Sequence, residues 1–260
     1  MAGAAGSGKG SGTREGRAGG KRSGPRDMAA GVALLWGERE RPARGPKPSL
    51  TPRRIADEAV AVADAEGFDA VSMGRVAAGL GVSGMALYRY VPGKSELVEL
   101  MVEVVLADVP DLTDEGPGWR ERLAAWSRRS WQVYADHPWL LAATAMRRQI
   151  MGPHQLGWLD AAHAALEPTG LGAADRQRVI VLLIGQVRSL AQQSADFDAE
   201  HAREWGRLTG ELLERHADRF PALTRAIADG AFESSGLESL DFGLDRILDG
   251  VQVMIDEASA

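Results

Sequence analysis

The sequence predicts an all-α protein with a small three-helix N-terminal domain and a larger helical C-terminal domain. Apolar residues recur at the i, i+3, i+4, i+7 spacing of an amphipathic helix from Thr51 to the C-terminal end. No stretch shows the sustained apolar–polar alternation of a half-exposed strand. Gly and Pro residues interrupt the apolar pattern at intervals of about one helix length, as expected for helices joined by loops.

The composition is that of a globular protein without thiol chemistry. The chain has 260 residues, of which 45% are apolar and 25% charged, and it has no cysteine. The lack of cysteine excludes disulfide scaffolds, Cys-ligated zinc, iron–sulfur clusters and thiol catalysis. The longest strongly apolar run, residues 179–184, is far shorter than the ~18 residues that span a bilayer. An apolar stretch at residues 28–36 lacks a signal-peptide cleavage site, so we expect a cytoplasmic protein without a membrane segment.

Charge is unevenly distributed along the chain. Residues 1–49 hold ten Lys/Arg and four Asp/Glu, residues 50–95 hold five of each, and residues 96–260 hold fifteen and twenty-seven, within a net charge of −6. A polyanionic partner would therefore meet the N-terminal part of the chain. Residues 1–49 are also poor in large apolar side chains, and we expect them to form a disordered basic leader.

Capping residues and helix breakers place the first helices. Thr51 and Pro52 mark a helix start, because a hydroxyl caps the first turn and Pro suits its first position. Ser72 caps the second helix in the same way, and a long amphipathic helix begins near Leu97. The expected ends of the first four helices are Gly67, Gly81, Pro92 and Pro110.

The helical period continues through the C-terminal part. The helix expected at residues 173–194 is apolar nearly all round and must be covered on several sides. The helix expected at residues 238–257 has one apolar stripe and one acidic face. The other helices are expected at residues 118–136, 138–150, 154–167, 201–217 and 220–229.

Residues 72–90 have the spacing of a helix-turn-helix. A short helix, a turn through Gly81 and a second short helix at residues 83–90 would bury one face and leave the second helix free to enter a DNA major groove. A helical hairpin with no role in DNA binding would have the same spacing, and spacing alone leaves both readings open. The inward side chains would be Val76, Ala77, Leu80, Val82 and Leu87, and the outward residues would be Ser83, Gly84, Met85, Tyr88 and Arg89.

The identities of these residues are more informative than their spacing. Residues 72–97, with the run Leu-Tyr-Arg-Tyr-Val-Pro-Gly-Lys at residues 87–94, closely resemble the DNA-binding domain of the TetR family of transcriptional regulators. Downstream segments resemble the tetracycline-repressor-like C-terminal domain, so the resemblance spans residues 34–257. Its shorter segments lie at residues 34–37, 44–48, 135–139, 151–158 and 244–250.

The resemblance implies a homodimer that binds double-stranded DNA at a pseudo-palindromic operator. Arg89 would face bases or backbone, and Tyr88 and Lys94 would contact phosphates. Gly74 and Gly84 depart from the family pattern, since the first removes a side chain that often contacts DNA and the second weakens the recognition helix. The candidate DNA-binding residues are Arg53, Ser72, Arg75, Ser83, Gly84, Met85, Ala86, Tyr88, Arg89, Tyr90 and Lys94.

Two further features follow from this resemblance. Helices near residues 173–194 and 238–257 would form a four-helix dimer interface, although packing within one chain would explain the same apolar stripes. The leader residues Arg41, Arg44 and Lys47 could follow a phosphate backbone or enter a minor groove, although such charges also keep a linker soluble.

The C-terminal domain combines aromatic and polar side chains in a way that suits a small-molecule effector, planar and largely apolar. The alternative for each tryptophan is a place in the core. The five histidines show no convincing metal-ligand spacing, and we expect no metal and no cofactor. The candidate ligand-binding residues are Trp126, Trp131, Tyr134, Trp139, Met146, Gln149, Trp158, His163 and Gln186.

The sequence therefore predicts a ligand-responsive repressor in three parts: the leader (residues 1–49), a helix-turn-helix domain (residues 50–96) and an effector-binding and dimerisation domain (residues 97–257). The alternative from another class is an all-helical enzyme acting on a small hydrophobic substrate. No phosphate-binding Gly-rich loop, His-Glu-x-x-His motif or nucleophile elbow is present. We therefore do not expect an enzyme.

Overall fold

The structure is a computed structural model that describes residues 25–38, 50–145, 151–195, 199–231 and 236–260. This part of the chain is helical and contains no strand, so the predicted all-α class is confirmed. None of its helices is both long and apolar enough to cross a membrane. The helices are α1 (Pro25–Leu35), α2 (Pro52–Glu66), α3 (Met73–Gly79), α4 (Gly84–Tyr88), α5 (Lys94–Val105), α6 (Trp119–Asp136), α7 (Leu140–Thr144), α8 (Pro153–Leu166), α9 (Ala173–Ala195), α10 (Ala199–Arg215), α11 (Pro221–Ala228) and α12 (Gly236–Ser259).

The caps that set the helix-turn-helix are formed as the sequence indicates. The Oγ1 atom of Thr51 accepts a hydrogen bond from the Arg54 amide at 3.1 Å, and the Oγ atom of Ser72 accepts one from the Arg75 amide at 3.2 Å. Gly81 has a φ of 68° in the turn between α3 and α4, a conformation that favours glycine.

Helix α4 is shorter than the recognition helix expected at residues 83–90. It begins after Ser83, whose backbone is extended, and ends at Tyr88. Arg89 and Tyr90 follow in a turn, and Pro92 disfavours helical backbone at Val91.

Helices α1 to α5 and α7 share one hydrophobic core. Ile55, Leu87, Leu97 and Met101 are fully buried there. Helix α1 packs against α5 through Leu34 and differs from the disordered leader expected for residues 1–49. A short apolar helix can be stable when a neighbouring helix covers one of its faces, because the contact buries apolar surface. The composition of residues 1–49 taken together does not reveal this short apolar segment. Residues 1–24 and 39–49, including Arg41, Arg44 and Lys47, lie outside the described residues.

Helices α6, α8, α9 and α12 form a second core. Leu123, Leu166, Ile180, Leu183 and Leu244 are among its fully buried side chains. Helix α7 ends at Thr144, whereas the sequence predicts a helix over residues 138–150, of which residues 146–150 lie outside the description. Helix α5 belongs to the first core through Leu97 and Met101, and it also packs against α8 of the second core.

Candidate nucleic-acid interface and ligand cavity

Helix α4 presents a side-chain surface that a DNA groove could contact. Met85 and Tyr88 are 76% and 49% exposed, and Ser83 and Arg89 are also exposed. Leu87, on the opposite face, is fully buried and anchors the helix to the first core. Leu87 therefore anchors the short helix, while the side with Met85 and Tyr88 faces solvent.

The remaining candidate DNA-binding residues have different surroundings. Lys94 is exposed at the start of α5, with its Nζ atom 5.5 Å from the centre of the Phe68 ring. Arg53 is exposed and bonds Asp57 at 2.8 Å. Ala86 and Tyr90 are half-buried, and Tyr90 packs against the first core.

Arg75 is already engaged by a carboxylate. Its Nε atom lies 3.1 and 3.2 Å from the two carboxylate oxygens of Glu66, and its Nη2 atom also contacts Glu66. The hydrogen bond from Arg75 lowers the pKa of Glu66, and the same bond raises the pKa of Arg75. The pair therefore occupies the Nε and Nη2 atoms that Arg75 would otherwise offer to a phosphate.

The two glycines that depart from the family pattern have open space beside them. A Cβ atom added at Gly74 or Gly84 would meet no other atom within 4 Å. Packing within the chain therefore does not require glycine at either position.

A cavity of about 310 Å³ lies between α6, α7, α8 and α9, beside the end of α5. Most of its wall is apolar, and five side chains contribute polar groups. The lining residues are Leu106, Trp126, Ser130, Val133, Tyr134, Leu140, Thr144, Met151, Gln155, Trp158, Leu159, Ile184, Val187 and Arg188.

Three of the candidate ligand-binding residues line this cavity: Trp126, Tyr134 and Trp158. The Nε1 atom of Trp126 donates to the Trp158 carbonyl at 2.8 Å, and the Nε1 atom of Trp158 donates to the Leu106 carbonyl at 3.0 Å. The two rings meet edge to face, with 6.3 Å between their centres. Because their N–H groups are occupied, these indoles offer the cavity mainly apolar surface.

Trp139 does not line the cavity. It is 6% exposed in the first core, and its ring stacks on Phe68 with 6.3 Å between centres. Its Nε1 atom donates to the Oδ1 atom of Asp64 at 2.6 Å, and the Nδ1 atom of His137 lies 2.8 Å from the same oxygen. Trp139 therefore joins the start of α7 to α2 of the helix-turn-helix domain.

The other candidate ligand-binding residues also lie elsewhere. Trp131 packs against the second core, and its buried Nε1 atom has no partner among the described residues. His163 bonds Gln177 at 2.9 Å. The side chain of Gln186 lies against Gly243 of α12, where an added Cβ atom would collide with it. Met146 and Gln149 lie outside the described residues.

Two charged residues at or beside the cavity are absent from the sequence-based candidates. Arg188 lines the cavity from α9. Glu103 is 6% exposed and accepts hydrogen bonds from the backbone amides of His154 and Gln155, at 2.9 and 3.1 Å, at the start of α8. Neither residue stands out in the sequence, because α5 and α9 carry other charged residues as well.

Metal ligands do not cluster in the described part of the chain. No group of three or more His, Asp or Glu side chains there is placed to hold a metal ion. The side chain of His201 is outside that description.

Helices α9 and α12 together expose large apolar side chains. Val181 and Leu182 on α9 and Phe242 and Val253 on α12 are each more than half exposed, although the two helices pack against each other. Contacts within one chain therefore bury only part of the apolar surface of residues 173–194. We call these four residues the α9–α12 face.

Two family models match the chain. The one described as bacterial regulatory proteins, tetR family, matches residues 55–101, and the one described as the tetracyclin repressor-like C-terminal domain matches residues 110–255. The chain is 37% identical over 252 residues to the HTH-type transcriptional repressor DrrR1 of Streptomyces coeruleorubidus, with 92% of each chain covered. It is 33% identical over 195 residues to an HTH-type transcriptional regulator of Saccharopolyspora erythraea, with 73% of this chain and 79% of the relative covered.

Solved structures show the same architecture. The structure of ActR from Streptomyces coelicolor without ligand superposes with a TM-score of 0.71 at 26% identity, covering 82% of this chain and all of that one. The structure of ActR in complex with actinorhodin superposes with a TM-score of 0.67 at 26% identity, covering 78% of this chain and 96% of that one.

Proposed function

Because the chain belongs to the TetR family of bacterial transcriptional regulators, we propose that it is a repressor that leaves a pseudo-palindromic operator when a small molecule fills the cavity beside α5. It is a DNA-binding regulator that responds to a ligand, as the family and its ligand-bound relatives indicate. Repression as the output is supported by the name of DrrR1, a repressor. Such a regulator would act in the cytoplasm, where the DNA is.

The observation that carries this proposal is the position of α5. Lys94, a candidate phosphate contact, is its first residue, and Leu106, just beyond its end, lines the cavity. Its 12 residues span about 18 Å. One helix therefore has its ends at the two sites that a ligand-responsive repressor must couple.

Two contacts tie α5 to the cavity wall. The Leu106 carbonyl accepts the Trp158 indole N–H, and Glu103 caps the start of α8. Trp158 and Gln155 on α8 line the cavity. A ligand that displaces the Trp158 indole or moves the start of α8 would therefore act on α5, and with it on Lys94.

A dimer would supply two recognition helices. Half-sites on a pseudo-palindromic operator are about 34–36 Å apart, which one helix-turn-helix cannot contact alone. The α9–α12 face would be covered by the same face of a second copy, as a two-fold interface requires. This supports a homodimer through α9 and α12.

Release has an energetic requirement. To change the operator from mostly bound to mostly free, the ligand must favour the released conformation by about 5 kcal/mol. The all-helical enzyme considered from the sequence is not favoured, because members of this family are generally not enzymes.

Selection of bound sequences from random DNA tests the DNA-binding half of the proposal. We expect enrichment of a two-fold-symmetric site with half-sites about one helical turn apart, near 10 bp. The control is the Arg89→Ala variant, which should enrich a less defined site. Failure to enrich any sequence above competitor DNA at moderate salt would contradict the proposal.

A further inference from the structure

We propose that the cavity selects a planar aromatic ligand that carries an anionic group, and that Arg188 binds this group. The inference rests on the proposed function, since it names the chemistry of the ligand that fills the same cavity. It depends on the surroundings of one guanidinium.

Arg188 is half-buried and contacts only neutral groups in the described part of the chain, among them the Tyr134 ring, whose centre lies 5.8 Å from its Cζ atom. Its Nη2 atom donates to the Leu141 carbonyl at 3.1 Å. Its Nη1 atom donates to the Thr144 hydroxyl and, at 3.4 Å, to the Tyr134 hydroxyl. Among the described carboxylates, none forms an ion pair with Arg188.

This arrangement leaves charge and hydrogen-bonding capacity unmatched. Arg188 is the one charged residue among those described as lining the cavity, and most of that lining is apolar. Withdrawing a cation from water without an opposite charge is unfavourable, and the nearby neutral acceptors offset this in part. Three acceptors also cannot occupy the five N–H donors of a guanidinium.

The neighbouring hydroxyls differ in what they can offer an anion. Thr144 uses its hydroxyl proton on the Leu140 carbonyl at 2.7 Å. The hydroxyl of Tyr134, among described residues, contacts Arg188 as an acceptor, so its own proton is available to a ligand. A carboxylate or acidic phenol beside Arg188 would receive hydrogen bonds from the guanidinium and from Tyr134.

The aromatic part of the ligand follows from the two indoles. Trp126 and Trp158 line the same cavity and have their N–H groups bonded to carbonyls. They present ring surface rather than donors, and ring surface favours a planar apolar body. The cavity thus combines an aromatic wall with one cationic position.

The test uses the full chain and two probes of nearly the same shape, 2-naphthoate and its neutral amide 2-naphthamide. Binding is measured by calorimetry, with the quenching of tryptophan fluorescence as a second readout. We expect the wild-type protein to bind the acid at least about tenfold more tightly than the amide, as a charge-assisted hydrogen bond predicts.

Three variants distinguish the effect of the Arg188 charge on binding from an effect on folding. Arg188→Gln should weaken binding of the acid about tenfold or more and change binding of the amide by less than about threefold. Arg188→Lys should keep a preference for the acid. Arg178→Gln, which removes the same charge from an exposed position on α9, should behave as wild type, and thermal unfolding of each variant shows whether it is folded.

Several outcomes would overturn the inference. The first two are that the wild type binds the two probes with equal affinity, or binds neither. The third is that a folded Arg188→Gln variant loses affinity for the acid and the amide to the same extent. The operator affinity of the ligand-free protein is measured in parallel. If operator binding stands and the preference for the acid fails, the inference about the ligand is wrong and the proposed function is not.

Discussion

The Nε1 atom of Trp139 lies 2.6 Å from the Oδ1 atom of Asp64, and this hydrogen bond joins the start of α7 to α2 of the helix-turn-helix domain. Helix α7 also carries Leu140 and Thr144, which line the cavity. On the other side, the Trp139 ring stacks on Phe68, above which Lys94 lies. A second chain of contacts, besides α5, thus runs from the cavity to a candidate DNA contact.

A double-mutant cycle measures this junction. Trp139→Phe removes the indole donor and Asp64→Ala removes its acceptor. Because the carboxylate is partly exposed, with a relative side-chain accessibility of 35%, we expect a coupling free energy of about 1 kcal/mol in urea unfolding. The matched control combines Asp64→Ala with Trp158→Phe, whose indole donates to a different acceptor, and should be additive. Additivity in the Trp139 cycle would show that the hydrogen bond carries no coupling.

Glu66→Gln should release Arg75 for DNA. The variant removes the carboxylate that holds Arg75 and lessens repulsion of phosphates. Operator affinity should rise a few-fold, and the salt dependence of log K should steepen by about 0.9, the value for one more phosphate contact. The control is Glu204→Gln, which breaks a similar exposed pair with Arg207 on α10. Unchanged affinity and slope would mean that Arg75 does not reach DNA.

The same pair has a defined pH dependence. Because the hydrogen bond from Arg75 lowers the pKa of Glu66 in the folded protein, the stabilising contribution of the pair is complete above the ordinary pKa of glutamate. It is lost as the pH falls through the lowered value. Thermal unfolding of the wild type and Glu66→Gln should therefore converge at acid pH, and a difference that grows there would reverse the assigned sign.

Replacing Arg89 or Lys94 by Ala should weaken DNA binding in two different ways. Arg89→Ala should weaken binding to the selected operator about tenfold and leave binding to random DNA nearly unchanged, because a base contact supplies specificity. Lys94→Ala should weaken both and reduce the salt slope by about one, because a phosphate contact carries no sequence information. Titrations of both DNAs at several salt concentrations check this. Equal effects of Lys94→Ala and Arg89→Ala on the two DNAs would contradict the assignment.

Leu182→Glu should prevent dimerisation. The side chain is 54% exposed on the α9–α12 face, so the folded chain tolerates the change while an apolar interface does not. Sedimentation should show a monomer with weak operator binding. Leu208→Glu, at a 50% exposed position on α10, is the control and should stay dimeric. A dimer that survives Leu182→Glu would place the interface elsewhere.

The sequence predicts where a helix begins and ends better than it predicts which part of the molecule a side chain contacts. Thr51 and Ser72 begin helices, and Gly67 ends one, through their own backbone or contacts within one helical turn. Such local effects can be predicted from neighbouring residues. Whether Trp126 or Trp139 faces the cavity depends on how α6 and α7 pack against other helices. Both look alike in the sequence, but one lines the cavity and the other bonds Asp64.

Arg188 and α1 were missed for related reasons. An arginine on an amphipathic helix is usually exposed, and only the packing of α7 against α9 places Arg188 at the cavity. Leu34 and Leu35 belong to a short apolar stretch in a leader poor in large apolar side chains, and their burial depends on contact with α5, far along the chain. Both features arise from tertiary contacts that no local pattern encodes.

The central claim is that filling the cavity lowers affinity for DNA, and a cavity-filling variant tests it without knowledge of the ligand. Leu159 is half-buried and lines the cavity from α8, whereas Leu208 is exposed on α10. The measurement is the dissociation constant of the selected operator for Leu159→Trp and Leu208→Trp beside the wild type. We predict at least about tenfold weaker binding for Leu159→Trp, within the range of allosteric coupling free energies, and wild-type binding for Leu208→Trp. Wild-type operator affinity in a folded, dimeric Leu159→Trp protein would contradict the claim.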